Sequence, residues 1–347
     1  KGDLILVRSD ITQRFIDELG MTGVWKAGGG YPAGLIYCRR VAAVDAAAKT
    51  IGVDVPLRGF LRVADNARIM MPKNGRLLSE SGLEDFSIGM KQHPGGRLDE
   101  DYENKLSEGT AGYAMHRATA ITLDSVENSW IRRVNSYRPV GNTDNIHIQS
   151  HGIRLFRSRH VTVEDCKWRY PQYRGEGGNG YLFTLYGNDC LIKNCEGQGA
   201  RHNYSFGEMS ANGNVLLNFT ARDGRLPSDF HMYFSLANLI DNAVCDGDIV
   251  QAIPRLNVKH GETTTQSVFW NTEGQRYQGD YIYRGILNKG HVFLVESHQW
   301  GDGYVIGTRG PASVVKSDDF VEGEGKGDTL VPKSLYEDQL ARRLGRR

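Results

Sequence analysis

Gly213-Asn214-Val215-Leu216-Leu217-Asn218-Phe219 and Ala237-Asn238-Leu239-Ile240-Asp241-Asn242-Ala243 are one phrase written twice. It occurs three times more upstream. The copies are Asn128-Ser129-Trp130-Ile131-Arg132-Arg133-Val134-Asn135, His160-Val161-Thr162-Val163-Glu164-Asp165-Cys166 and Asp189-Cys190-Leu191-Ile192-Lys193-Asn194-Cys195-Glu196. Aligned, they give a column Ile131, Val163, Ile192, Leu216, Ile240 and a second column, Val134, Cys166, Cys195, Phe219, Ala243. The steps are 32, 29, 24 and 24 residues. Short β-rich phrases returning at this period, separated by Gly and Asn turns, predict a solenoid of stacked coils. Propeller blades are longer, at about 40 residues, and a β-sandwich would alternate strictly without a stacked column. The expected fold is all-β: a single-stranded right-handed parallel β-helix over residues 1–320, with a tail over 321–347 holding a short amphipathic helix.

Working outward, residues 1–75 read as β-rich with one helical turn, Thr12 to Leu19, and strands near Leu4–Val7, Ile51–Leu57 and Phe60–Val63. Residues 84–90 fit the repeat phrase, and 91–117 form a polar excursion containing Asp99-Glu100-Asp101. Further excursions at 138–147, 169–180, 222–230 and 246–265 interrupt coils that run to about Ile306; such insertions gather on one face, often the binding face. Ser334-Leu335-Tyr336-Glu337 is a capping box opening the terminal helix, whose Arg342, Arg343, Arg346 and Arg347 suit a helix C-terminus.

Composition narrows the function classes. The 347 residues carry a net charge of +1, which gives no footprint for nucleic acid. No apolar run of membrane-spanning length exists. Five cysteines make no disulfide framework in so long a chain. Cys166 and Cys195 read as stacked buried thiols rather than a bridge. The start at Lys1-Gly2-Asp3, without Met, reads as processed or truncated, compatible with a removed signal peptide and a secreted, extracellular or periplasmic protein.

The Val/Ile column and the asparagine-rich turns, with the stretches Ala200–Phe206, Ser228–Asn242 and Thr265–Thr272, resemble the pectate-lyase-like right-handed parallel β-helix superfamily, specifically its secreted bacterial polysaccharide-active members. The resemblance covers residues 84–306 and the N-terminal part more loosely. It implies polysaccharide lyases, glycoside hydrolases, uronate epimerases, fructan transferases or phage tailspikes, among which fold does not choose. Departures are plain. Ser150-His151-Gly152 stands without the paired aspartates of polygalacturonases, and neither phrase of the pectate lyases occurs. Ser228-Asp229-Phe230-His231 is similar to an epimerase phrase but lacks its proline. Calcium serves some members. Here Asp241 lies within a coil phrase and Asp246-Gly247-Asp248 reads as a turn, so no cofactor is expected.

Histidines recur at 202, 231, 260 and 291, in steps of 29, 29 and 31, and would stack along one corner. Uronate β-elimination needs a cation to neutralise the carboxylate, a base for the C5 proton and an acid for the leaving oxygen. Arg201 or Lys259 could neutralise, His202 or His231 could be the base, and Tyr233 or Tyr204 the acid. Asp229 and His260 complete the catalytic set. Trp168, Tyr170, Tyr173, Arg174, Glu262 and Trp300 are expected to bind sugar through aromatic faces and charge. The expected function is a polysaccharide lyase acting on an acidic polysaccharide, as monomer or homotrimer. The alternatives are a glycoside hydrolase or transglycosidase pairing Asp229 with a second carboxylate such as Glu262, and a non-catalytic carbohydrate-binding or tailspike-like module.

Overall fold

The computed structural model describes residues 1–73, 76–99, 105–175 and 177–346. Glu100 and Asp101 of the charged excursion, Glu176 of the glycine-rich loop and Arg347 of the basic tail lie outside them. From Leu78 to Glu322 the chain winds as a parallel β-helix, each strand hydrogen-bonded to its counterpart in the next coil. The column read from sequence is the observed register. Ile131 pairs with Val163, Val163 with Ile192, Ile192 with Leu216 and Leu216 with Ile240. The column continues upstream to Leu83 and downstream through Phe269, Val305 and Val321. Its interior members are buried, whereas Leu83 and Val321 at its ends are exposed. Each such side chain contributes about 1.5–3 kcal/mol by leaving water, so the stack is the main store of stability.

The recurring asparagines follow from coil geometry. Asn194, Asn218, Asn242 and Asn271 all sit in the left-handed region, with φ between 51° and 54°, which Asn tolerates because its side chain bonds locally. Two of their side-chain contacts run from coil to coil: Asn218 Nδ2 donates to Asn194 Oδ1 at 3.2 Å and Asn271 Nδ2 to Asn242 Oδ1 at 2.8 Å. A second, buried ladder satisfies backbone groups at another corner. Asn214 Oδ1 accepts from Cys190 N, Asn238 Oδ1 from Asn214 N, Ser267 Oγ from Asn238 N and Gln299 Oε1 from Ser267 N. All five cysteines are free and buried.

The N-terminal residues do not continue the coils. They form a four-stranded antiparallel sheet in the order 50–53, 36–45, 4–8, 68–70. The helix Gln13–Glu18 is capped by Thr12, as its sequence predicts. Phe60–Val63, expected as a strand, leads instead into a single 3-10 turn at Val63–Asp65. This unit buries Phe15, Ile16, Leu19, Trp25 and Tyr37 against Met209, Phe234 and Leu236 of the solenoid. Arg39 clamps the junction. It is fully buried, donating to the carbonyls of Cys38, Val55 and Pro56 and pairing with Asp189 at 2.9 Å. At the other end of the chain the helix Leu335–Arg343 docks on a coil. Its capping residue Ser334 accepts from Glu337 N and donates to Asp241 Oδ2 at 2.7 Å, and Tyr336 N donates to the same oxygen at 2.7 Å. No helix among the described residues is long and apolar enough to cross a membrane.

Two outcomes follow from these anchors. Arg39→Ala removes the donor to three carbonyls and one of two guanidiniums on Asp189, Arg58 remaining at 2.6 Å, and should lower unfolding free energy in denaturant by about 1–3 kcal/mol. Burial pushes the Asp241 carboxyl up to about 6 from an ordinary 3.8. The folded chain therefore holds a proton that the unfolded chain has released, and stability falls as pH rises through that value. Asp241→Asn should raise the melting temperature at about pH 8 and less at about pH 5.

Candidate active site

One outward-facing column crosses the solenoid beside the cleft described below. By register it reads Arg154, Thr184, Ser205, Asp229, Gln251, Glu296, Lys316. Neighbouring coils lie about 4.8 Å apart, so residues 20 to 45 positions apart in sequence become direct neighbours. Asp229 is the pivot and is fully buried. Its Oδ1 accepts from Ser205 Oγ at 2.9 Å. Its Oδ2 accepts from Arg255 Nη2 at 2.7 Å and from His231 Nδ1 at 2.8 Å. Arg255 also donates to Gln251, which donates to Glu296, which pairs with Lys316. Burial opposes the charge on Asp229, yet His202, His231 and the Arg255 guanidinium outweigh it and hold the carboxyl well below the usual carboxylate range.

An ionised Asp229 fixes the proton of His231 on Nδ1 and leaves Nε2 as an acceptor. That nitrogen lies 3.1 Å from the Tyr181 hydroxyl. The Tyr181 oxygen accepts from Arg201 Nη1 at 2.9 Å. His202 donates from Nδ1 to the Pro227 carbonyl at 2.5 Å, turning its Nε2 toward Arg201 at 3.1 Å. Burial lowers both imidazoles below an ordinary histidine, and it pushes the Tyr181 hydroxyl up. Burial also takes His151 down to about 3 and His260 down to about 4. At neutral pH the site is therefore built of neutral imidazoles and a neutral phenol around one carboxylate and two guanidiniums.

Tyr181 and His231 of this cluster, with His151 and His260, line a cleft of about 520 Å³, and Arg201, His202 and Asp229 lie behind that lining. Tyr31 from the N-terminal unit, Tyr186 and Tyr233 give it aromatic surface, and Lys105, Arg117 and Arg154 give it positive charge. Glu208 is the one carboxyl among its described lining residues. Arg154 lies over the rings of Phe156 and Tyr186, at 4.5 and 5.6 Å, and makes no ion pair among the described residues. A guanidinium stacked on rings, with its donors unused, is suited to receive a carboxylate bidentately.

Of the residues singled out from sequence, Arg201, His202, Asp229 and His231 meet directly. The His260 ring is 4.9 Å from that of His231, and the Tyr233 ring is 5.8 Å from that of His260. Tyr233 lines the cleft at φ 58°. Lys259 caps an exposed 3-10 turn and does not line the cleft, and Tyr204 is buried in the core. His291 stacks on Phe293 away from the site. Trp168 and Tyr173 are fully buried inside the fold, Tyr170 packs edge-on against His147, Arg174 pairs with Asp99, and Trp300 packs on Phe234. None of these, nor Glu262, lines the cleft.

Sequence reading passed over Tyr181, Ser205, Arg154 and Arg255. Arg154 and Ser205 share strands with quoted stretches and would have emerged from extending the register outward. Arg255 lies on an excursion, where no register applies.

His202, Asp229 and His231 offer ligand atoms within 4.8 Å of one another. Their chemistry fits hydrogen bonding better than a cation, because two guanidiniums already face the cluster and His202 Nδ1 is committed to a carbonyl. The aspartates considered for calcium are engaged too. Asp248 accepts from Asn203 and Ser228, Asp246 pairs with Arg222 and Arg276, and Asp241 holds the terminal helix.

No family model matches the chain, and no curated protein matches it. Among solved structures, an alginate lyase from Paenibacillus sp. str. FPU-7 aligns over 71% of this chain and 86% of its own, with 11% identity and a TM-score of 0.40. A likeness at that level transfers neither residues nor activity.

Asp229 raises the basicity of His231 against the effect of burial. In an imidazole NMR titration His231 should titrate below an ordinary histidine, and lower still in Asp229→Asn.

Proposed function

We propose that this protein cleaves an acidic polysaccharide by β-elimination at a uronate. The observation that supports this best is the Tyr181 hydroxyl, held between Arg201 and the Nε2 of a histidine whose other nitrogen is fixed by a buried aspartate, in a cleft whose described lining carries three cations and one carboxyl. The arrangement has the logic of a nucleophile–His–Asp triad with a phenol in the first place. Tyr181 passes its proton to His231 Nε2. Asp229 stabilises the imidazolium, and Arg201 stabilises the phenolate. The phenolate then takes the C5 proton of a uronate whose carboxylate is neutralised by Arg154, which makes that proton more acidic. The C5–H electron pair forms the C4–C5 double bond as the C4–O bond breaks, and the leaving oxygen takes a proton from an acid in the cleft. Tyr186 and Tyr233 offer faces for sugar rings.

A hydrolase would need two carboxyls facing the scissile bond, about 5–9.5 Å apart. Asp229 has both oxygens engaged and is buried, Glu262 is off the lining, and Glu208 stands alone among the described lining residues. These placements favour elimination over hydrolysis. A secreted location, in the periplasm or outside the cell, belongs to the same reading.

The test is incubation with a panel of uronate polysaccharides, following the ultraviolet absorbance of the unsaturated uronate. Wild type should generate it, and Tyr181→Phe should lose about 10²–10⁴-fold in kcat. New reducing ends without absorbance would replace this reading with a hydrolase. Binding without turnover would replace it with a carbohydrate-binding module.

A further inference from the structure

Glu208 has no role in the steps above, yet it projects into the same cleft. It follows the strand His202–Gly207 at the coil corner, with φ 67°, and its backbone N–H is tied to Met232 O at 2.8 Å. Its half-buried carboxyl makes no hydrogen bond or ion pair with any described residue. Such a carboxyl is available to something that enters the cleft. The titratable groups facing it are Arg154 from the coil that begins at His151, Tyr186 from the strand Tyr181–Asn188, and Tyr233 from the corner after Met232. Tyr186, Tyr181 and Glu208 all line the same cleft.

Resting on the lyase reading, we propose that Glu208 is the proton donor to the departing glycosidic oxygen. The step balances. The C5 proton goes to the Tyr181 oxygen, its electron pair becomes the C4–C5 double bond, the C4–O bond breaks, and the leaving oxygen takes the Glu208 proton. Burial pushes the Glu208 carboxyl up, and the charge of Arg154 is the influence that pulls it back. A uronate carboxylate seated on Arg154 cancels that pull. Substrate binding therefore favours the protonated form of the acid it is about to use, and the same arginine serves both the C5 proton and the leaving group.

The experiment compares two substrates that carry the same uronate. One has an ordinary glycosidic oxygen at C4, and the other has fluoride, which leaves without a proton. Glu208→Gln should lose about 10²–10⁴-fold in kcat on the glycoside. It should stay within about threefold of wild type on the fluoride, as expected when only proton donation to the leaving group is removed. Glu208→Gly, which relieves the left-handed backbone, should show the same split and separates lost chemistry from lost folding. Equal losses on both substrates, or none on either, would overturn the role of Glu208 and leave the lyase reading standing. A wild-type protein that forms no unsaturated product from either substrate would overturn both.

Discussion

In-register stacking of parallel coils is the constraint on which the rest of this molecule depends. Strands about 4.8 Å apart and paired residue to residue convert a sequence column into a spatial one. The same rule that stacks Ile131, Val163, Ile192, Leu216 and Ile240 inward stacks Arg154, Thr184, Ser205 and Asp229 outward. The apolar stack stabilises the register. The register in turn sets four polar side chains from successive coils side by side, and brings Ser205 Oγ within 2.9 Å of Asp229. A catalytic constellation needs such placement to within a fraction of an ångström, and here it comes from the regular part of the fold.

Within that frame a single buried carboxylate organises the electrostatics. Asp229 has no water to solvate it, so it is ionised only because Arg255, Ser205 and His231 all donate to it. The consequence travels outward along hydrogen bonds: Asp229 sets the tautomer of His231, His231 offers Nε2 to Tyr181, and Arg201 caps the phenol oxygen. Arg255, with Gln251, Glu296 and Lys316 behind it, supports this arrangement from neighbouring coils. The outer cleft follows a different principle. There Arg154 makes no ion pair among the described residues and is held by aromatic rings in place of an acid. Charge is balanced at the base of the site, while Arg154 suits a ligand that brings its own negative charge.

The antiparallel N-terminal unit contributes to both stability and site. Its junction buries Arg39 against Asp189 at a coil corner, and its glycine-rich loop places Tyr31 in the cleft, 6.0 Å from the Tyr233 ring. The cleft is thus closed on one side by a segment that is not part of the solenoid.

The sequence by itself determined the solenoid, its inward column, its asparagine corners and the capped terminal helix, because each is a local or strictly periodic signal. It also drew attention to Arg201, His202, Asp229 and His231, since residues beside a repeat phrase inherit its register. What it misjudged lies where periodicity stops. Trp168 and Tyr173 look like loop aromatics, yet Trp168 is an inward position of a coil strand and Tyr173 packs against Leu98 and Met115. Lys259 stands beside His260 in sequence, but a 3-10 turn carries it to the surface. Tyr181 and Arg255 carry no phrase of their own. Only the tertiary structure decided that they converge, because side-chain reach across coils and the return path of long excursions depend on packing, which no repeat encodes.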